Sequence, residues 1–317
     1  MKITILNASD IGTSFDQYLL NTSEILRNEG HTVNNLLLRD EDIRYCIGCW
    51  DCWVKSPGQC QAKDGSMNVD TEIIHSDIVL FASPTRMGFV NSRLKKTMDK
   101  IIPLLMPYID VVNDVAHHHK RYDNYPAIGL IVDPDETMDK KDLEITQNIF
   151  SRMSLNFRSQ LHFMATTNDD QEEVIEMIIN YPDHKIQLPS YKSATNGIRI
   201  SPPKHLTVFN GSPRGKKSNT GLVFAEFLKG FEAAGGTYEM HYLIQAKRRE
   251  EQVEAFKNAE CVLLGHPLYT DAMPGSVMDF FEHLEPLVGQ DNPPIMFLVQ
   301  SGFSEPGQSR YEERYLE

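Results

Sequence analysis

The sequence predicts an α/β protein built from two doubly wound parallel sheets in tandem. Three observations carry that expectation. Short apolar runs alternate with helical patterns along the chain, the order that starts at residue 3 starts again at residue 206, and a Pro-, Ser- and Lys-rich stretch separates the two passes. Apolar runs without polar alternation suit strands buried on both faces, as in a parallel sheet covered by helices. Right-handed crossovers then wind such a sheet in both directions.

The first pass opens with ITILN (3–7), a polar loop SDIGTS (9–14) and the helical pattern SFDQYLLNTSEILRNEG, which stops at Gly30. Glycine suits a helix C-terminus because it adopts the left-handed backbone freely. TVNNLLL (32–38) reads as the second strand and DIVLFASPT (77–85) as the third. SRLKKTMDKIIPLL (92–105) reads as a helix, AIGLIV (127–132) as the fourth strand and QLHFMATT (160–167) as the fifth. The second pass repeats the scheme: LTVFN (206–210), the loop GSPRGKKSNT (211–220) and a helix from GLVFAEFLKGFEAAGG. The strands TYEMHYL, ECVLLGHPLY and PPIMFLVQ follow, with REEQVEAFKNA and GSVMDFFEHLEPL as the helices between them. The expected organisation is a first domain over 1–184, a linker over 185–204 and a second domain over 205–317. YEERYLE (311–317) continues a helical pattern, so the second domain is expected to lack its last strand. PPIMFLVQ would then be an apolar edge, covered by another chain or by sequence beyond the end.

At 317 residues the chain is long enough for two cores. Its net charge of -13 argues against nucleic acid or an anionic membrane as partner. No apolar run approaches a membrane span, and MKITILNASD has too short an apolar stretch for a signal peptide. A cytoplasmic location is expected.

Cys46, Cys49, Cys52 and Cys60 are the densest chemical feature. Their C-x2-C-x2-C spacing with a nearby fourth thiol suits a 4Fe–4S cluster, which takes four thiolates. Tetrahedral zinc takes the same donors, and four reduced thiols packed near Trp50 and Trp53 are the third reading. Cys261, inside CVLLG, reads as a small core residue. One tight cluster and one buried thiol do not make a secreted disulfide framework.

In an open parallel sheet, ligands bind beyond the carboxyl ends of the strands. The loops after the first three strands share that rim. In the first domain these are the 9–14 loop, the cysteine loop and SPTRMGF (83–89). Each first loop resembles an anion cradle at a helix N-terminus. Ser9, Gly12, Thr13 and Ser14 supply it in the first domain, and Ser212, Arg214, Ser218, Asn219 and Thr220 in the second. All of these residues also serve ordinary N-capping. Neither loop is G-x-G-x-x-G, and the second is one residue short of a nucleoside-triphosphate loop. A mononucleotide fits better, with FMN as the case for this strand order.

Here the chain resembles the flavodoxin-like NADPH-dependent FMN reductase family, and within it the iron–sulfur flavoprotein branch. GSPRGKKSNT is similar to the family's GSPR-x-x-SNT loop, and the four cysteines match the branch's layout. SPTRMGFVNSRLKKTMDK and HPLYTDAMPGSVMDFFE resemble the segment that follows the third strand and borders the flavin ring. The resemblance implies FMN as cofactor, NAD(P)H as substrate and a small-molecule or protein electron acceptor. It further implies contacts to the flavin from Ser83, Pro84, Thr85, Arg86, Met87 and Gly88, and from Pro267, Leu268 and Tyr269. A homo-oligomer is expected. The flavin supplies the chemistry, so no catalytic acid–base pair is expected. Two alternatives accompany the reductase reading: an iron–sulfur flavoprotein electron carrier, and a flavin-free zinc scaffold. The sequence departs from the family at Asp10, where proline is usual, and at Arg86, where an aromatic is usual. HHHKRYDNYP (117–126) reads as a surface or subunit contact.

Overall fold

The computed structural model describes residues 1–112, 115–181 and 202–302. The chain divides into two compact units: Met1–Arg44 with Cys49–Pro189, and Tyr45–Gly48 with Ser190–Glu317. Most of the expected linker lies outside the described residues, as does YEERYLE.

The first unit runs β1 (Lys2–Asn7), α1 (Ser14–Asn28), β2 (Thr32–Leu37), α2 (Asp51–Val54), α3 (Ser66–Ile74), β3 (Ile78–Arg86), β4 (Phe89–Val90) and α4 (Ser92–Met98). It continues through β5 (Leu105–Val112), β6 (Val115–Lys120), β7 (Ala127–Asp133), α5 (Lys140–Asn156), β8 (Leu161–Thr166) and α6 (Gln171–Ile179). The main sheet has the order β2-β1-β3-β7-β8, and all these pairs are parallel. This is the doubly wound order that the apolar runs predict. One face of the core joins Ile3, Ile5, Ile78, Leu80 and Ile131 to Phe15, Leu19 and Leu26 of α1 and to Val174 and Ile178 of α6. Each such side chain, fully buried, contributes about 1.5–3 kcal/mol. Gly129 on β7 is needed for packing, because a Cβ there would lie 2.6 Å from the Phe163 ring and 2.9 Å from Leu80.

The segment after β3 departs from expectation. The helix stops at Met98, whereas the sequence reading carries it to residue 105. Pro103 explains this, since it cannot donate to the carbonyl four residues back and its ring clashes there. Lys95 of the short helix pairs with its C-cap, Asp99, in a buried i,i+4 ion pair. Next comes an antiparallel hairpin, β5 with β6. The histidine run lies on it. His117 is only 4% exposed, and His119 Nε2 lies 2.7 Å from Asp110.

The second unit runs β9 (His205–Asn210), α7 (Asn219–Ala233), β10 (Thr237–Tyr242), α8 (Arg249–Lys257), β11 (Val262–Pro267), α9 (Gly275–Leu284) and β12 (Ile295–Gln300). Among the described residues its sheet has four strands, ordered β10-β9-β11-β12 and parallel throughout. Leu206, Val208, Phe224, Leu228, Cys261 and Leu263 form a core, so Cys261 packs as expected. The buried Arg249 guanidinium donates to Asp279 at 3.0 Å and ties α8 to α9.

Candidate functional site

In the first unit the loop from β1 to α1 is organised around Asp16. Thr13 caps α1 by accepting from Asp16 N–H at 3.2 Å. The Asp16 carboxylate turns back into the loop. It accepts from the Ser9 hydroxyl at 3.0 Å, Gly12 N–H at 3.1 Å and both Arg39 guanidinium nitrogens at 2.9 and 3.3 Å. The Asn7 amide donates to it at 3.4 Å. Burial pushes the Asp16 pKa up, but the Arg39, Gly12 and Ser9 hydrogen bonds outweigh it, and the net direction is down. Asp10 points elsewhere: Arg93 donates to its carboxylate at 2.9 Å. Ser9 is buried, while Gly12, Thr13 and Ser14 are exposed. Asp16 and Arg39 do not figure among the predicted site residues. The signal that could have found Asp16 is the T-x-x-D capping spacing.

In the second unit the loop is two residues longer between the end of β9 and the helix cap, with Lys216 and Lys217 extra. Ser212 N–H donates to Asn210 Oδ1 at 2.9 Å, as Ser9 N–H does to Asn7 Oδ1 at the same distance. Ser218 caps α7 by accepting from Gly221 N–H at 2.9 Å. Ser212, Ser218 and Thr220 are buried, while Arg214, Lys216, Lys217 and Asn219 are exposed. Hydroxyls therefore line this loop and cations surround its mouth. It also lies at the N-terminus of a fifteen-residue helix, where the dipole favours an anion.

The loops after the third strand match between the units. In the first, Thr85 pairs with Val90 and Arg86 with Phe89 across a tight turn at Met87 and Gly88, both at positive φ. Ser83 accepts from Asn91 N–H at 3.0 Å, which joins the strand end to the start of α4. In the second, Tyr269 bridges to Ala272 across Thr270 and Asp271, again at positive φ. Where the first unit has exposed Arg86, the second has half-buried Tyr269. Pro267 and Leu268 lead into this turn and are half-buried.

The cysteine loop is held at both ends. At its base, Asp64 accepts from Arg44 N–H at 3.0 Å and the Ser66 hydroxyl at 2.6 Å. Lys100 lies 3.0 Å from the same carboxylate and donates to Cys60 Sγ at 3.0 Å. At its tip, Trp50 and Trp53 stack with centroids 4.7 Å apart. Trp53 packs on His118 at 5.0 Å and donates to the carbonyls of Ile102 and Leu105 at 3.2 and 2.9 Å. Trp53 thus anchors the loop to the hairpin. Of the four cysteines, Cys49 is exposed, Cys52 buried, and Cys46 and Cys60 half-buried. Burial, with the neighbouring Cys49 and Cys60, pushes Cys52 up to about 11. Among the described residues no three His, Cys, Asp or Glu side chains are grouped to hold a metal ion. No helix there is long and apolar enough to cross a membrane.

The strand order of the first unit is the doubly wound order that the sequence predicts. The chain is 26% identical over 181 residues to an iron–sulfur flavoprotein of Archaeoglobus fulgidus, covering 49% of this chain and 80% of that one. A second protein of that name from the same organism is 27% identical over 100 residues, covering 32% of this chain and 48% of the relative. No family model matches the chain. Among solved structures, a candidate quinone reductase from Klebsiella pneumoniae superposes with a TM-score of 0.41 at 14% identity, over 58% of this chain and 86% of that one. An FMN-dependent NADH-azoreductase from Bacillus anthracis gives 0.36 at 15% identity, over 55% and 92%. At these scores the fold assignment rests on the strand order itself.

Proposed function

We propose that the protein is an FMN-dependent oxidoreductase that takes electrons from NAD(P)H and passes them to a flavin, quinone or other acceptor. The observation that supports this most is the hydroxyl-lined, cation-rimmed loop at the start of α7. A phosphate monoester needs several donors and positive charge, and the loop offers both. Ser212, Ser218, Asn219 and Thr220 would hold the phosphate, with Arg214 at the mouth. Pro267, Leu268 and Tyr269 would border the ring. The corresponding residues of the first unit are Ser9, Gly12, Thr13 and Ser14, with Ser83, Pro84, Thr85, Arg86, Met87 and Gly88, around a loop that already holds the Asp16 carboxylate. When bound, FMN accepts a hydride and releases electrons onward. The chain's own tasks are to grip the phosphate, leave one ring face open to the nicotinamide and exclude water from the other.

The phosphate grip is tested by titrating the protein with FMN and with riboflavin, read by flavin fluorescence. FMN should bind at least about tenfold more tightly, since charge-assisted bonds to the phosphate contribute about 1.5–3 kcal/mol each. Equal affinity would remove the loop from the reading. A second reading is favoured by the spacing of Cys46, Cys49, Cys52 and Cys60 and by the names of the curated relatives. In it the protein carries a 4Fe–4S cluster and moves electrons between protein partners. Iron and sulfide in anaerobically purified protein would select that reading. We place the protein in the cytoplasm as a homo-oligomer. The cysteine pattern, one tight cluster and one core thiol, unlike a secreted disulfide framework, supports the location.

A further inference from the structure

The two first-strand loops have the same frame and differ at the positions that decide whether an anion can enter. Asn7 and Asn210 occupy the same place, each accepting from the N–H two residues on. Leu38 N–H donates to Asn7 O at 2.8 Å, and Leu243 N–H to Asn210 O at 3.0 Å. Thr13 and Ser218 are the matching N-caps, each accepting from the N–H three residues on. From that register, Asp16 corresponds to Gly221, Arg39 to Ile244 and Asp10 to Pro213. A Cβ on Gly221 would lie 3.2 Å from Ser218 Oγ and 3.5 Å from Asn210 Nδ2, so a side chain there would point into the loop. Asp16 does point into its loop and takes the donors that line it.

We propose that the Asp16 carboxylate is a built-in stand-in for a ligand phosphate. The first unit's loop then binds no mononucleotide, and each chain takes up one FMN, in the second unit. The identity of the ligand rests on the flavin reading above; the role of Asp16 does not. Three physical points converge. The carboxylate is buried, 4% exposed, and engages Ser9, Gly12 and Arg39, the groups an incoming phosphate would need. Expelling it would leave a buried charge unpaired, which costs far more than an exposed pair returns. The charge balance reinforces the difference: around the first loop Arg39 and Arg93 are each matched by an acid, Asp16 and Asp10, whereas the second carries Arg214, Lys216 and Lys217 and no acid. Like charges at close range in a low-dielectric loop repel strongly.

The test combines flavin stoichiometry with hydrogen exchange of the peptide spanning residues 8–16. In the wild type, equilibrium dialysis should give one FMN per chain, and neither FMN nor inorganic phosphate should slow exchange of that peptide. Asp16→Gly, which copies the second loop, should expose Arg39 to solvent anions. In that variant, phosphate at about ten times its Kd should slow exchange of the peptide about tenfold. Two FMN per chain, or protection of the wild-type peptide by FMN or phosphate, would overturn the proposal. So would a folded Asp16→Gly variant that gains no protection. If that variant does not fold, the wild-type stoichiometry and exchange decide. If the wild type takes up no FMN while Asp16→Gly gains phosphate protection, the flavin reading fails and the role of Asp16 stands.

Discussion

Asp64→Asn probes how the base of the cysteine loop is closed. The carboxylate joins Arg44 N–H, the Ser66 hydroxyl and N–H, and the Lys100 ammonium. Its side chain is fully buried, and that of Lys100 is 3% exposed. Burial alone would raise the Asp64 pKa, but the Ser66, Arg44 and Lys100 hydrogen bonds hold it at about 2, below the ordinary 3.8. That difference corresponds to about 2.4 kcal/mol. Removing one partner of a buried ion pair costs about 3–5 kcal/mol, so the substitution should cost about 2–5 kcal/mol. For a unit of this size, about 1 kcal/mol lowers Tm by about 2–4 °C. Differential scanning calorimetry at neutral pH should show the first unit's transition lowered by about 4–20 °C. The sign with pH follows from the depressed folded value. The stabilisation is complete above about pH 4 and is lost as pH falls through about 2. The wild-type Tm should therefore fall more steeply across that window than the variant's. A variant within about 1 °C of the wild type at neutral pH, or with the same acid slope, would refute the clamp.

Ser218→Ala with Thr220→Ala should weaken FMN by about a hundredfold or more in a fluorescence titration, from two charge-assisted bonds of about 1.5–3 kcal/mol each; Thr13→Ala with Ser14→Ala should leave affinity unchanged. Trp53→Phe removes a donor shared by Ile102 O and Leu105 O, and should lower stability by about 1–3 kcal/mol in urea unfolding. In metal-free protein at pH 8, iodoacetamide should label exposed Cys49 well before Cys52, whose thiol is buried and held near 11; mass spectrometry after timed quenching reads the order, and equal rates would contradict it. Cys52→Ala should leave both sheets folded by circular dichroism, since the thiol lies in a rim loop and not in either core cluster. If the cysteines hold a cluster, the same change should also abolish iron binding.

The strand order of both units is legible because the central strands are runs such as IVLF and VLLG, which only a two-sided burial accommodates. The β5–β6 hairpin is not, because its residues are broken by Pro107 and a histidine run. Adjacent histidines look solvated, yet His119 meets Asp110 across the hairpin and His118 packs on Trp53 of the cysteine loop. The cysteine loop is obvious as a motif, while its clamp is hidden, since Asp64 and Lys100 lie thirty-six positions apart and only α3 and α4 bring them together. Hydroxyl-rich spacing makes both loops legible in the sequence. The difference between them is not legible, because Arg39 sits past the end of β2 and acts on a helix that precedes it.

Hydride transfer tests the central claim most directly. Purified protein, loaded with FMN and freed of excess, is mixed anaerobically with NADH or NADPH while the flavin's visible band is followed. The oxidoreductase reading predicts that at least one nicotinamide bleaches the band, that an added quinone restores it, and that flavin released by heating is FMN. Protein that retains no flavin after loading, or a bound flavin that neither nicotinamide reduces, would contradict it.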